Sequence, residues 1–599
     1  MSEDTPTPAS RGGLLGASTV MAAGTVVSRL TGVVRAAVIA AVIGLAGPAA
    51  DTFNVPNVIP NTLYILVAGG VLNSVLVPAL VRAMKNDSDG GQAYAQKLFS
   101  IVVVILGITT VVAVLLAPLI VRLMVSGQYV SDPELRPFFD NMVMFARFCL
   151  PQIFFYGLFV LLGQMLNARG RFGPMMWAPI LNNIVAVLVF GAYAVVFGIN
   201  EGVPFTTTQV ILLGVGSTLG IAVQAGCLLP VLRRTGLRLR LRTDWRGSGL
   251  RTAARLGGWT VGYVAVNQLA YLFVVRAATA GSADGGAGYI VYANAMLVMM
   301  VPHAVITVSL ATALLPRMSE HAAAGDLAQV TRNVLDATKT CLTVVMALAA
   351  LMAGLSVPLI SVMFGYGAAS GSVGITAATF VALLPGLVGY TIHYLMLRGF
   401  YSLQDTRTPF FTQIWIAATI GLVALAVALM RPSITTVLLA VGYSVSYIVG
   451  AAVSITRLKD RVPGLSRMEV LTHLGLVTVP ALLAGGTAFG VGQLTADPLS
   501  IIPSPIDHLL VGVLGTALGL AVFAGVGLAL QLPDVQNGVD LARRGLEHLR
   551  QRRALRKQPP PETTADQTDR QSPTPLAGST DRRSGDPEAT QLDLDVVGP

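Results

Sequence analysis

The stretch Leu98-Phe-Ser-Ile-Val-Val-Val-Ile-Leu-Gly-Ile-Thr-Thr-Val-Val-Ala-Val-Leu-Leu-Ala117 contains no charged residue and no polar–apolar alternation. As a helix rising about 1.5 Å per residue, a segment of this length crosses the roughly 30 Å hydrocarbon core of a bilayer. A strand of a transmembrane barrel would alternate in polarity, and this one does not. The rest of the chain is made of the same material. Of its 599 residues 54% are hydrophobic and 12% charged, with a mean hydropathy of +0.69. A soluble domain carries about 25% charged residues, so the surface needed to solvate several globular domains is missing. That composition excludes a soluble enzyme, a fibrous protein and a disulfide scaffold.

Working outward from that stretch, apolar runs separated by polar or Pro/Gly breaks predict fourteen transmembrane helices. They cover 18–46, 52–84, 94–125, 138–166, 174–198, 207–232, 253–278, 286–316, 331–363, 373–400, 409–430, 434–456, 469–494 and 508–532. The fold class is therefore an all-α polytopic membrane protein. The first run lacks a short apolar core followed by a small-residue cleavage site, so it reads as a retained helix rather than a signal peptide.

Short loops rich in Lys and Arg stay cytoplasmic. Alternate loops hold Arg82, Lys85 and Lys97; Arg169 and Arg171; Arg233, Arg234, Arg238, Arg240, Arg242, Arg246, Arg251 and Arg255; Arg317 and Arg332; Arg398 and Arg407; and Arg457, Lys459, Arg461 and Arg467. The opposite loops offer only Arg122, Arg136, Arg276 and Arg431. This bias places the chain in the cytoplasmic membrane with both termini in the cytoplasm, which requires an even number of helices.

Two weak internal matches suggest a repeat. Ser74-Val-Leu-Val-Pro78 pairs with Thr312-Ala-Leu-Leu-Pro316, an offset of 238 (316 − 78). Leu166-Asn167-Ala-Arg169-Gly-Arg171-Phe-Gly-Pro174 pairs with Ser402-Leu-Gln404-Asp405-Thr-Arg407-Thr-Pro409, an offset of 235 (409 − 174). Both map helix n onto helix n + 6, so two pseudo-symmetric six-helix lobes in parallel orientation, followed by two C-terminal helices, are expected. The domain plan is then a cytoplasmic segment 1–12, an N-lobe 13–232, a basic linker 233–252, a C-lobe 253–456 and helices thirteen and fourteen within 457–532. Residues 533–557, with Val539, Ala542, Leu546 and Leu549 at helical spacing among basic residues, read as an amphipathic segment on the anionic inner leaflet. The Pro-, Thr-, Asp- and Gln-rich 558–599 cannot build a core and is expected to be a disordered cytoplasmic tail.

Ionisable groups inside an apolar run cost at least about 2.5–3.5 kcal/mol each and so need a reason. The first run contains Arg29 and Arg35, about 9 Å apart along a helix axis and about 120° apart around it. The second opens with Asp51 and continues with Asn54, Asn57 and Asn61 among Pro56 and Pro60, prolines that free backbone carbonyls. Arginine stays charged and presents a planar fork of donors suited to phosphate, so Arg29, Arg35, Asp51, Asn54 and Asn61 are the expected substrate-binding set, lining a cationic cavity between the lobes. Snorkelling is the competing reading for Arg29 and helix capping the one for Asp51. Asn167, Arg169, Asn182, Arg398, Gln404 and Asp405 are assigned to gating or structural motifs. His303 and His393 read as packed histidines. Cys149, Cys227 and Cys341 are scattered, with neither disulfide nor metal spacing. No nucleophile–base pair, paired carboxylates or phosphate-binding glycine loop stands out, so no enzyme and no cofactor is expected. Energy has to come from the membrane potential or a monovalent ion. No nucleic-acid partner is expected.

Ser28-Arg29-Leu-Thr-Gly32-Val-Val-Arg35, Asp51-Thr-Phe53 and Pro60-Asn61 resemble the MurJ (MviN) family of the MOP exporter superfamily. So do Leu166-Asn167-Ala-Arg169-Gly-Arg171-Phe172 with Pro179 and Asn182-Asn183, and Arg398-Gly-Phe400-Tyr401-Ser-Leu-Gln404-Asp405-Thr-Arg407-Thr-Pro409. The similarity spans roughly residues 15–530. It implies a lipid II flippase that moves the undecaprenyl-pyrophosphate-linked peptidoglycan precursor to the outer leaflet by alternating access, with a lipid-tail groove formed by the last two helices. The resemblance is to actinobacterial-type members, whose cavity is sparser in charge. An acid common after the second arginine is Ala36, an arginine expected in the second helix is Tyr64, and an Asp-Arg pair of the eighth helix is replaced at Asn294 and Ala295. The alternatives are export of another polyprenyl-linked glycan, amphiphile antiport, or a non-transporting scaffold that engages cell-wall synthesis or division proteins through the tail. The partners expected are lipid II, membrane lipids and, through the tail, such cell-wall proteins.

Overall fold

The computed structural model describes residues 11–66, 80, 83–84, 87, 89–244, 250–430, 433–499, 504–540, 543–544 and 547. Residues up to Val539 form one compact unit and Asp540–Pro599 a second. Residues 1–10, the Ser74–Pro78 motif, Arg82, Lys85, Arg246, most of the 533–557 segment beyond Asp540 and all of 558–599 lie outside the described residues.

The helices are α1 (Arg11–Ile43), α2 (Gly47–Tyr64), α3 (Gln92–Leu115), α4 (Arg136–Ala168), α5 (Gly173–Phe197), α6 (Thr207–Arg234) and α7 (Leu250–Ala283). They continue as α8 (Tyr289–Ala323), α9 (Leu327–Gly354), α10 (Val373–Ser402), α11 (Arg407–Met430), α12 (Thr435–Lys459), α13 (Arg467–Leu499) and α14 (Ile506–Ala529). Among the described residues thirteen of these are long and apolar enough to cross a membrane; α2 is the remaining one, and residues 67–79 of the run predicted there lie outside the described residues. Two of the long predicted runs are interrupted. The third ends at Leu115, because Pro118 opens a separate short helix, Ala117–Met124. The ninth ends at Gly354 and resumes as Ser356–Phe364, with Pro358 in its first turn.

The neighbour pattern is that of a repeat. In the N-lobe α1 packs on α5, α5 on α6, α6 on α4, and α4 on both α2 and α3. In the C-lobe α7 packs on α11, α11 on α12, α12 on α10, and α10 on both α8 and α9. Adding six to each number of the first set gives the second. Helix α13 packs on α9 and α14, outside both sets. The side-chain pattern repeats too. A Cβ at Gly24 of α1 would fall 2.6 Å from the Trp177 ring of α5, and one at Gly262 of α7 2.9 Å from the Phe410 ring of α11. An amide bridges each pair: Asn183 donates to Thr31 Oγ1 at 2.9 Å, and Gln413 to Asn267 Oδ1 at 3.4 Å.

Backbones also approach closely within the C-lobe, where a Cβ at Gly389 of α10 would meet the Tyr447 carbonyl oxygen of α12 at 2.8 Å. Backbone cannot move aside as a side chain does, so Gly389→Leu should cost about 3 kcal/mol or more. The measurement is thermal unfolding and monodispersity of the purified protein in detergent, and a variant that melts like the parent would contradict this packing.

Candidate functional site

Cross-lobe hydrogen bonds among the described residues gather at one end, the one with the arginine-poor loops. Gly47 N–H donates to the Gly286 carbonyl at 2.9 Å, and Ala46 and Ala287 form an antiparallel bridge. Ser126 N–H donates to Thr279 Oγ1 at 2.9 Å, Gln128 to Asp284 at 2.8 Å, and Tyr129 shares a 3.0 Å bond with Ser282. Only Gln268 to the Thr62 carbonyl, at 3.0 Å, links the lobes deeper in the helices.

Two contacts at this end are charge-assisted and reciprocal. Asp51, fully buried, accepts from Ser282 Oγ at 2.6 Å and from the N–H groups of Tyr289 and Ile290 at 3.0 Å each. An N-lobe carboxylate thus caps the positive N-terminus of C-lobe helix α8. In the other direction Arg276 of α7 donates to the carbonyls of Arg122, Leu123 and Val125 at 3.0, 3.2 and 2.6 Å, capping the short helix Ala117–Met124. Gly367 closes the same end against α1: its φ is +53° and a Cβ there would lie 2.3 Å from the Ala41 carbonyl oxygen, a place only glycine can take.

Below this seal lies a cavity of about 310 Å³ between α1, α2 and α8, lined by Arg29, Arg35, Ala36, Asn54, Ile290 and Asn294 among others. The 120° between the two arginines does not separate them, since both side chains reach the same space. Neither has a carboxylate within ion-pair distance among the described residues. Asn54 bonds through its Nδ2 to the Ala50 carbonyl at 2.7 Å. The structure thus brings Arg29, Arg35 and Asn54 together at this cavity and leaves the other two members of the expected substrate-binding set outside its lining. Asp51 does not line the cavity, because its carboxylate is consumed by the seal. Asn61, two turns further along α2, is not in the lining either. Asn294, marked in the sequence only as a departure from the family pattern, is in it; a buried amide in an apolar run was the available signal. Tyr64 stands away from the cavity, stacked on Tyr156 with centroids 6.0 Å apart.

The motif residues hold turns. Arg169, Gly170 and Arg171 N–H bond to the Leu166, Asn167 and Leu166 carbonyls at 3.0, 2.9 and 2.9 Å. Leu403, Gln404 and Asp405 N–H bond to the Phe400, Tyr401 and Phe400 carbonyls at 3.1, 3.0 and 2.9 Å. This is the same helix C-cap, 234 positions apart (404 − 170), with the left-handed residue at Gly170 (φ +71°) and at Gln404 (φ +58°). Arg169 donates to the Gly90 carbonyl at 3.1 Å, tying two loops, while Asn167 bonds to Gln164 at 3.3 Å and Asn182 is buried against Gly220. Asp405 caps α11 through the N–H groups of Arg407 and Thr408 at 3.0 and 2.9 Å and the Thr408 hydroxyl at 2.7 Å, and pairs with Arg461 at 3.5 Å. Burial works to raise this carboxyl, but the Thr408 bonds, Arg461 and the Arg407 N–H outweigh it and hold it below its usual range. Arg398 lies over the Tyr394 ring, 4.2 Å from its centroid. His303 sits between Tyr390 and Tyr394 at 4.5 and 4.8 Å, in a π-helical turn His303–Thr307 within α8; His393 bonds to Ser454 at 2.7 Å. Since a non-glycine left-handed residue costs about 1 kcal/mol, Gln404→Gly should leave the thermal midpoint unchanged or raised and Asp405→Ala should lower it. A Gln404→Gly variant that melts earlier would show that its side chain has another task.

Fold and cavity define a two-lobed helical membrane protein with a basic cavity between its lobes. The solved "Lipid II flippase MurJ, inward closed conformation" superposes with a TM-score of 0.64 at 17% identity over 84% of this chain and 98% of that one. An inward-facing MATE family transporter of the MOP superfamily does so at 0.57 and 15% identity, over 72% and 95%. Residues 39–506 match the profile of the family described as "Lipid II flippase MurJ". The chain belongs to the MurJ family. Similar relatives include the probable lipid II flippases MurJ of Rhizobium meliloti, 26% identical over 66% of this chain and 72% of that protein, and of Synechocystis, 24% identical over 86% and 94%.

Proposed function

We propose that this chain carries lipid II from the inner to the outer leaflet of the cytoplasmic membrane, one lipid headgroup per cycle, by alternating access between its lobes. The observation that carries the reading is a cavity between lobes that holds two unpaired guanidinium groups and no acid. Placing cations out of bulk water without counter-charge is unfavourable, and an arriving pyrophosphate relieves it. A cation antiporter would need the reverse, carboxylates in the cavity. At about 310 Å³ the space is at the small end for ligand pockets. It seats the phosphates, while the disaccharide-pentapeptide requires the lobes to part. The arginine-poor end, where the lobes are sealed, faces outward, and both termini face the cytoplasm. An inside-negative potential favours outward movement of each negative charge by about 2.3 kcal/mol per 100 mV, so no nucleotide or other cofactor is required.

The test is depletion of the protein in cells with lipid II assayed in each leaflet. Accumulation in the inner leaflet is expected, and undiminished arrival outside, with no second flippase present, would overturn the proposal. Removing 540–599 separates transport from scaffolding. Asp534 and Val535 belong to the packed unit, Thr340 donating to Asp534 at 2.8 Å and Val535 packing on Gly527, so the cut has to fall after Val539. The truncated carrier should keep full lipid II translocation; its loss would favour the scaffold.

A further inference from the structure

A second cationic recess lies on the lipid-facing side of the C-lobe, away from the inter-lobe cavity. It measures about 510 Å³ and runs between α11 and α12, lined by Arg407, Phe411, Trp415, Val453, Arg457 and Asp460 among others. Both helices build it in the same way. On α11, Arg407, Phe411 and Trp415 are spaced four apart, and on α12 so are Val453 and Arg457, with Arg461 in the turn that follows the helix. Positions four apart share a helix face about 6 Å apart along the axis. At each wall guanidinium groups stand at the membrane surface and apolar side chains one turn deeper. The aromatic groups face lipid, with Phe411 46% and Trp415 57% exposed. Arg407 is held over this wall, its guanidinium carbon 5.7 Å from the Trp259 centroid and 5.8 Å from that of Phe411.

Charge counting narrows the ligand. Arg461 is taken by Asp405. Among the described residues Arg407 and Arg457 have no carboxylate within ion-pair distance, and Asp460 adds one negative charge to the wall without pairing to either. The recess is left with one net positive charge. A single phosphodiester balances it, whereas a pyrophosphate brings more negative charge than the site can match. A free phosphate would use the guanidinium end only, leaving the exposed Phe411–Trp415 wall with no role. We propose that this recess binds a monoanionic phospholipid of the phosphatidylglycerol class, its phosphodiester between Arg407 and Arg457 and its acyl chains along Phe411, Trp415 and Val453. Basic recesses between helices at the cytoplasmic surface commonly hold anionic headgroups, and aromatic residues mark the interface level. Because α11 and α12 belong to the moving C-lobe, a bound lipid would anchor that lobe to the surface while the N-lobe moves past it.

Full-length protein is purified in detergent, and retained lipid is read by native mass spectrometry and by thermal shift on adding phosphatidylglycerol or phosphatidylcholine. This assay is blind to leaflet and to transport, so its result stands or falls separately from the flippase reading. Phosphatidylglycerol, not phosphatidylcholine, should raise the melting temperature. The double substitution Arg407→Gln/Arg457→Gln should weaken its retention about tenfold or more, while Arg233→Gln/Arg234→Gln, exposed arginines at the end of α6, should leave it unchanged. Four results would overturn the proposal: equal retention by the double variant; equal binding of phosphatidylcholine; displacement by millimolar inorganic phosphate, which would make it a free-phosphate site; or preferential displacement by undecaprenyl pyrophosphate, which would make it a port for the carried lipid. Trp415→Ala, which keeps both arginines, guards against misfolding: it should reduce retention without altering the unliganded melting temperature, and unchanged retention would remove the acyl-chain half of the site.

Discussion

Substituting Arg35 by alanine or glutamate is expected to abolish lipid II translocation, and lysine to retain part of it. Arg35 lies in the cavity between α1, α2 and α8 with no acidic partner among the described residues, so its charge is available to a phosphate. Removing one member of a buried, hydrogen-bonded charge pair typically costs about 2–5 kcal/mol, which is roughly 30-fold to several thousandfold in affinity. Lysine keeps the charge but loses the planar fork. Glutamate inverts the charge and would repel the pyrophosphate. The measurement is lipid II at the outer surface of cells depleted of the parent protein and supplied with each variant at matched membrane level. Full translocation by the glutamate variant would show that the phosphates sit elsewhere. Arg29, more exposed than Arg35, should show the same order with a smaller loss.

The helices were legible because the bilayer imposes a simple rule: continuous apolar runs of sufficient length. Misplaced boundaries share one cause. Pro118 and Pro358 lie in runs that hydropathy alone would carry straight through, yet each begins a new short helix because proline tolerates a first turn better than an interior position. The repeat was legible at the α4–α5 and α10–α11 turns, since the same C-cap geometry needs similar residues twice. The π-helical turn after Pro302 left no mark in the sequence beyond the proline itself.

The site was legible where a single side chain breaks the apolar rule, as Arg29, Arg35 and Asn54 do. It was not legible where the meaning of a residue lies in a distant partner. Asp51 looks like a cap for its own helix. Its donors Ser282, Tyr289 and Ile290 lie more than two hundred positions away, and two of them are backbone N–H groups, which carry no residue signature. Arg276 is hidden for the same reason, because it bonds to carbonyls that any sequence would supply. The seal is written in backbone geometry and the cavity in side chains, and only the second can be read from composition.

That distinction sets up the second large effect, at Asp51. Both carboxylate oxygens accept, Oδ2 from Ser282 and Tyr289 and Oδ1 from Ile290. Asparagine is therefore not conservative here, because one oxygen becomes an amide donor aimed at a donor. Alanine leaves two N–H groups at the start of α8 without their acceptor. Charge-assisted bonds contribute about 1.5–3 kcal/mol each, and an unsatisfied buried donor costs about 1–3 kcal/mol. Taking a two-state equilibrium from 1:99 to 99:1 requires about 5.5 kcal/mol, so losing this cap is enough to make the form parted at the arginine-poor end a major species. Nitroxides at Glu134 and Ser370, both exposed at that end and carried by different lobes, should report a longer and broader distance distribution in Asp51→Ala and Asp51→Asn than in the parent. Translocation should fall in both variants, since a carrier that cannot reseal one end cannot reset. Arg35→Ala should lose translocation with the distance unchanged, because it empties the cavity of charge without touching the seal. An Asp51 variant that is inactive with parental distances would place this carboxylate among the substrate contacts after all, and would remove the seal from the mechanism.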